Sequence, residues 1–422
     1  MRKTRVISLL LALSLLFVLV PTLSGCRHKI VAADLMAGIT PRENEPATVP
    51  DDASAFAVDF AARLFRATYD GKNTLLSPLS ALVALAMTAN GAAGETRAQM
   101  ESVLGTSVEE LNAFFDAYLA NLPNDETCKL ALADALWIRN DDRLVVKDAF
   151  LGTCADVYRA ASYRTPFDRE AVDEINGWVR EKTDGMIEKL VDEIPRETMM
   201  LILNALAFDA KWAEPYRQES EVRSGDFTKE NGDKVEVEFL CGTERLFLED
   251  GDRALGFVKP YAGGRYAFAA LLPSEGTAVA DYIATLDGER IATILQNKRN
   301  CTVITRLPKF ESRTELELND PLKNLGMTEA FDDSVADFSE IVDPLVTEIG
   351  LYISRVLHKT YIEVGEAGTR AAAVTGVFLD SIGGIYLEPP KEISLDRPFV
   401  YLIYDVENNL PLFIGTLNDP NG

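Results

Sequence analysis

Met199 to Phe208 is ten residues long and is broken only by the amide of Asn204. So apolar a run reads as a fully buried strand, which requires a sheet covered on both faces. The elements around it show other periods. Phe56, Phe60 and Leu64 recur at i, i+4 and i+8, one face of a helix starting near Asp52–Ser54. Ser77-Pro78 reads as an N-cap followed by a first-turn proline, opening a helix through Leu82, Leu85 and Ala86 to a stop at Asn90-Gly91. Asp168 opens another helix, which buries Ile175, Trp178 and Val179 and ends before Gly185. Val235, Val237 and Phe239 alternate with charges, as in a half-exposed strand. Arg265 to Leu272 is a further strand, and Pro398 to Tyr404 and Leu410 to Leu417 are two strands joined at Glu407-Asn408-Asn409. Early helices and late strands predict an α+β fold, with no repeat and no domain boundary after residue 53.

The first 25 residues do not belong to that fold. Arg2, Lys3 and Arg5 precede an uncharged stretch from Val6 to Val20, the pattern of a secretory signal. Leu23-Ser24-Gly25-Cys26 resembles the bacterial lipobox, so Cys26 is expected to carry lipid and to start the mature chain. Residues 26–52, punctuated by Pro41, Pro46 and Pro50, read as a flexible tether of roughly 30 Å. The expected location is the outer side of a bacterial membrane, facing the extracellular space.

Composition excludes several classes. Asp and Glu number 66 against 42 Lys and Arg, a net charge of −24 that repels a nucleic-acid backbone. There are two histidines, and His28 lies in the tether, so His358 alone could serve a catalytic triad. No GxSxG, HExxH, P-loop or GxGxxG occurs. The cysteines after Cys26, at 128, 154, 241 and 301, lack metal-site spacing and read as small buried hydrophobes. No cofactor or metal is expected, and the chain is not expected to be an enzyme.

Short motifs suggest what it is instead. Asn73-Thr-Leu-Leu-Ser77-Pro78-Leu79-Ser80, Glu174-Ile-Asn176-Gly-Trp178-Val and Lys182-Thr183-Asp184-Gly185 come first. Leu203-Asn204-Ala-Leu-Ala-Phe208 with Lys211-Trp212, Leu307-Pro308-Lys309-Phe310 and Ala336-Asp337-Phe338-Ser339 follow. Leu357-His358-Lys359, Ile362-Glu363-Val364-Gly365-Glu366-Ala367-Gly368-Thr369, Asp396-Arg397-Pro398-Phe399 and Phe413-Ile414-Gly415 complete the order. In these segments the chain resembles the serpins over nearly all of residues 53–422. The resemblance implies three sheets, about nine helices and an exposed reactive-centre loop over about 366–390, in a single domain. It places His358, Ser77, Ser80 and Asn204 in a structural "shutter" beneath the main sheet, and Trp212 at the top of that sheet.

The resemblance also implies a mechanism. A serine protease cuts the loop and forms an acyl-enzyme; the upstream segment then inserts into the sheet as a strand and traps the protease. The hinge would be Glu366, Gly368, Thr369, Ala371, Ala372 and Ala373, and on a strand Thr369, Ala371, Ala373, Thr375 and Val377 share one face. Small uncharged residues there can enter a core at low cost. Arg370 departs from the glutamate usual in inhibitory serpins and should face outward. Counting from Glu366 puts the cut at Ile382–Gly383, suiting an elastase- or subtilisin-like protease; counting back from Pro389-Pro390 gives Tyr386–Leu387 instead. The expected partners are that protease and a membrane held through the lipid, with the protein a monomer. The other reading is a non-inhibitory serpin acting as a cell-surface binding protein.

Overall fold

The computed structural model describes residues 31–40, 42, 54–122, 128–343, 350–369 and 389–422. Its helices are α1 (Ala55–Thr68), α2 (Pro78–Ala89), α3 (Gly94–Leu104), α4 (Val108–Ala120), α5 (Asp148–Asp156), α6 (Arg169–Lys182), α7 (Gln218–Glu221), α8 (Val279–Ala284), α9 (Gly288–Gln296) and α10 (Asn319–Leu325). A seven-stranded sheet is built from β1 (Ala33–Asp34), β3 (Cys128–Arg139), β4 (Ala161–Thr165), β5 (Met200–Lys211), β11 (Phe310–Glu317), β12 (Leu357–Val364) and β13 (Gly368–Thr369), in the order β1-β4-β3-β5-β13-β12-β11. The remaining strands are β2 (Thr74–Leu76), β6 (Val222–Thr228), β7 (Lys234–Asp250), β8 (Ala254–Pro260), β9 (Tyr266–Pro273), β10 (Arg299–Pro308), β14 (Lys391–Ser394), β15 (Phe399–Asp405) and β16 (Leu410–Leu417). They form a second sheet of two limbs that share the 17-residue β7. Its first part pairs with β6 and its last part with β8. The three sheets expected from sequence are therefore the seven-stranded sheet and these two limbs.

The run Met199–Phe208 forms most of β5, and Met200, Leu201, Leu203, Leu206, Ala207 and Phe208 are buried because each face of the sheet is covered. Leu201 and Leu203 join Ala135 and Trp137 of β3 under Ile175, Trp178 and Val179 of α6. Met200, Leu206 and Phe208 point the other way, into the main core with the α1–α2 pair and the second sheet. Each large side chain so covered stabilises the fold by about 1.5–3 kcal/mol, before the cost of ordering the chain is subtracted. Helix α6 starts where Asp168 accepts the Ala171 N–H at 3.0 Å, and it ends before Gly185 at φ +75°. In α2, Ser77 accepts the Ser80 N–H at 3.3 Å and Pro78 occupies the first turn. Where β16 crosses β2 the backbones come so close that a β-carbon on Gly415 would sit 2.5 Å from the Thr74 carbonyl oxygen.

One sequence expectation is corrected. Residues 31–40, read as part of a flexible tether, lie against the body. β1 pairs antiparallel with β4, Leu35 N–H donates to the Ser162 carbonyl at 2.9 Å, and Val31 N–H donates to Glu174 of α6 at 2.6 Å. Leu35 and Met36 pack on the main core, and Arg42 pairs with Asp116. Proline spacing signals stiffness and solvation but is silent about the unpaired edge of β4, which offers these residues a ladder.

Candidate functional site

The region expected to act lies at the top of the seven-stranded sheet, where β5 and β12 part and β13 stands between them. Thr369 pairs with Ala210 on one side and Val364 on the other, and Gly368 pairs with Lys211. Thr369 is fully buried, and its hydroxyl shares a hydrogen bond with Tyr261. The chain reaches this slot through a tight turn, in which Gly365 N–H donates to the Gly368 carbonyl at 3.0 Å. The segment after β5 then grips the turn from outside. Trp212 N–H donates to the Ala367 carbonyl at 2.9 Å, the Trp212 indole to the Gly365 carbonyl at 2.8 Å, and Tyr216 N–H to the Glu366 carbonyl at 2.9 Å. The carbonyls of residues 365, 366 and 367 are thereby satisfied by two residues.

Side chains fix the same corner. Trp212 stacks on Tyr261 with ring centroids 4.4 Å apart, and Phe208 meets Tyr261 edge-on at 5.0 Å. The Glu366 carboxylate accepts a hydrogen bond from Lys309 at 2.9 Å, and the same ammonium reaches Glu238. Partial burial would raise the Glu366 carboxyl, but the Lys309 ammonium wins and holds it below the usual carboxylate range. Among the expected hinge residues, Glu366, Gly368 and Thr369 are thus brought to one place with Trp212. Ala371, Ala372, Ala373 and both candidate cut sites, Ile382–Gly383 and Tyr386–Leu387, lie outside the described residues, as does Cys26.

At the lower end of β12, His358 is buried and its Nε2 accepts the Ser77 N–H at 3.0 Å. Burial pushes its pKa down to about 4, so the ring is neutral. Thr360 donates to the Leu75 carbonyl at 2.7 Å and Leu75 N–H donates to Thr314, so β11 and β12 are pinned to β2. Ser77, Ser80 and His358 meet here; Asn204 lies on β5 opposite Asp134, and its side chain is outside the described part. No cluster of three or more His, Cys, Asp or Glu suited to a metal occurs among the described residues.

Sequence reasoning missed Tyr216, Tyr261 and the partner of Lys309, because these contacts join segments more than 50 residues apart. It also passed over Lys259, a cation at the end of the otherwise uncharged strand Ala254–Pro260, and that contrast was visible.

The comparisons agree with this geometry. Residues 52–420 match the family model described as serpin (serine protease inhibitor). An uncharacterised serpin-like protein of Thermococcus kodakarensis is 31% identical over 386 residues, 90% of this chain and 87% of its own. Plasminogen activator inhibitor 1 of Bos taurus is 31% identical, covering 87% of this chain and 92% of its own. Among solved structures, the thermophilic serpin tengpin in its native state is 40% identical with a TM-score of 0.85, covering 92% of this chain and 100% of that one. The same protein in its latent state superposes less closely, at a TM-score of 0.78. The chain belongs to the serpin family.

Proposed function

We propose that this serpin inhibits a secreted serine protease, of elastase- or subtilisin-like preference, by loop cleavage, acyl-enzyme trapping and insertion of the cut loop into the seven-stranded sheet. The observation that carries this reading is Thr369, fully buried as a strand residue between β5 and β12. A slot that already accepts Gly368 and Thr369 can accept more of the loop, since each added residue offers ladder bonds to a strand on either side. Each such bond contributes only about 1 kcal/mol net, but a dozen with their side chains outweigh the ordering cost. Loop insertion of this kind is the general example of a strain-releasing switch. The bovine relative named plasminogen activator inhibitor supports the inhibitory class.

Incubation with elastase- and subtilisin-type proteases, followed by denaturing electrophoresis, tests it. A covalent complex that survives SDS is expected. Cleavage without complex by every such protease would replace this reading with that of a non-inhibitory binding protein. The chain would act from the outer side of a bacterial membrane, held by lipid on Cys26. Two acyl chains are required for stable anchoring, since one binds only marginally. Cys26→Ala should move the protein to the soluble fraction, and retention on the membrane would remove the anchor from the proposal.

A further inference from the structure

Behind the segment that grips the hinge turn lies an ion pair almost without access to water. Lys259 of β8 is 3% exposed and Glu244 of β7 is 7% exposed, and their charged atoms are 2.9 Å apart. The Lys259 ammonium also donates to the Glu214 carbonyl at 3.1 Å. It sits 4.1 Å from the ring centroid of Tyr216 and 5.4 Å from that of Trp212. Beyond Glu244, these hydrogen-bond and ring partners of the ammonium all lie on residues 212–216. That is the segment whose N–H groups hold the carbonyls of residues 365, 366 and 367.

Stability does not account for such a pair. A buried ion pair replaced by apolar groups of like volume is commonly no less stable, because desolvation offsets the attraction. What an ammonium supplies and a leucine cannot is a fixed donor to a backbone carbonyl, together with attraction to two ring faces. We propose that Lys259, oriented by Glu244, is a positioning residue for loop insertion: it fixes residues 212–216 so that the hinge turn is presented in register with β5 and β12. The proposal rests on the inhibitory reading and adds to it the residue that governs the first insertion step. Without the ammonium the turn must be ordered during insertion, so insertion slows and hydrolysis of the acyl-enzyme gains.

The test uses the full chain carrying Lys259→Met, and a second variant carrying Lys259→Met with Glu244→Leu. The second leaves no unpaired buried charge and should keep a thermal midpoint near that of the parent. In both variants, amide exchange of residues 212–216 and 365–369 should speed up about fivefold, the loss of one net hydrogen bond. With an elastase-type protease, the share of inhibitor cleaved without complex should rise about threefold while the association rate stays within twofold of the parent, since insertion follows encounter. A pair that is merely structural would return to parent exchange and parent partitioning in the double variant, and that result overturns the proposal. Faster exchange with unchanged partitioning overturns it too. If the parent forms no complex with any protease, the inhibitory reading falls by itself, and parent-like exchange in the double variant remains the separate result that rejects the role of Lys259.

Discussion

The imidazole of His358 is buried with Nε2 accepting the Ser77 N–H, so a proton on that nitrogen removes the bond and leaves a charge under the sheet. In the unfolded chain the group titrates near its ordinary value of about 6.5, whereas burial lowers it to about 4 in the fold. A depressed folded pKa contributes stability that is fully present above pH 6.5 and is lost as pH falls toward 4. The loss should approach about 3 kcal/mol. Denaturant unfolding from pH 7 to 4 should be steeper for the parent than for His358→Gln, by the uptake of one proton; equal slopes would show that the ring titrates normally. Thr369 is decided by space rather than protons. It is fully buried against Tyr261, so Thr369→Arg must place an unpaired guanidinium in the slot, at a cost of several kcal/mol. Insertion should then lose to deacylation, and a gel should show cleaved inhibitor in place of complex. Undiminished complex formation by Thr369→Arg would sink the insertion mechanism for this chain.

At the scale of elements, the pieces that sequence revealed are those whose signal is local. Asp168 and Gly185 bracket α6 as their cap chemistry requires, and Ser77-Pro78 opens α2. The run at Met199 is apolar on both faces because α6 and the main core each take one. The corner at the top of the sheet was less legible, since Tyr216, Tyr261 and Lys309 meet the hinge only after the two sheets pack together, β5 and β11 from one and β8 from the other. The docked segment was hidden for a related reason: a two-residue strand has no period to read, and its partner edge is more than 120 residues away. Removing it has a measurable consequence. A chain beginning at residue 42 loses the ladder to β4, the Val31 bond to Glu174 and the packing of Leu35 and Met36. Against a chain beginning at residue 27, it should be less stable by about 1–3 kcal/mol, the contribution of a few net hydrogen bonds and two half-buried side chains. Equal denaturation midpoints would mean that the segment contributes nothing.

For the molecule as a whole, the register of β13 limits how far an inserting loop would travel. Thr369 stands opposite Ala210, so an inserted strand continuing antiparallel along β5 brings Leu379 opposite Met200, where β5 begins. On the other side, pairing from Val364 brings Gly376 opposite Leu357, the first residue of β12. The ladder therefore runs out at 376–379, and Ile382 lies only three residues past the last pairing that β5 offers. The inward positions along that strand, Ala371, Ala373, Thr375, Val377 and Leu379, follow Thr369 toward the main core and carry no charge. Arg370 falls on the opposite face, across from Asp209, which is itself only partly buried. A protease attached at Ile382 would thus be drawn the full length of the sheet, about 45 Å for 14 residues, with little slack. One attached at Tyr386 would keep four further residues of free chain, and a slack tether distorts an acyl-enzyme less. Length thus favours Ile382–Gly383 over Tyr386–Leu387. Ile382 offers a branched aliphatic group to a shallow apolar specificity pocket, with neither a charge nor a ring. Mass spectrometry of the C-terminal fragment released on denaturing the complex should find a peptide beginning at Gly383. A peptide beginning at Leu387 would move the cut to Tyr386, change the expected target to a chymotrypsin-type protease, and show that the trap tolerates slack.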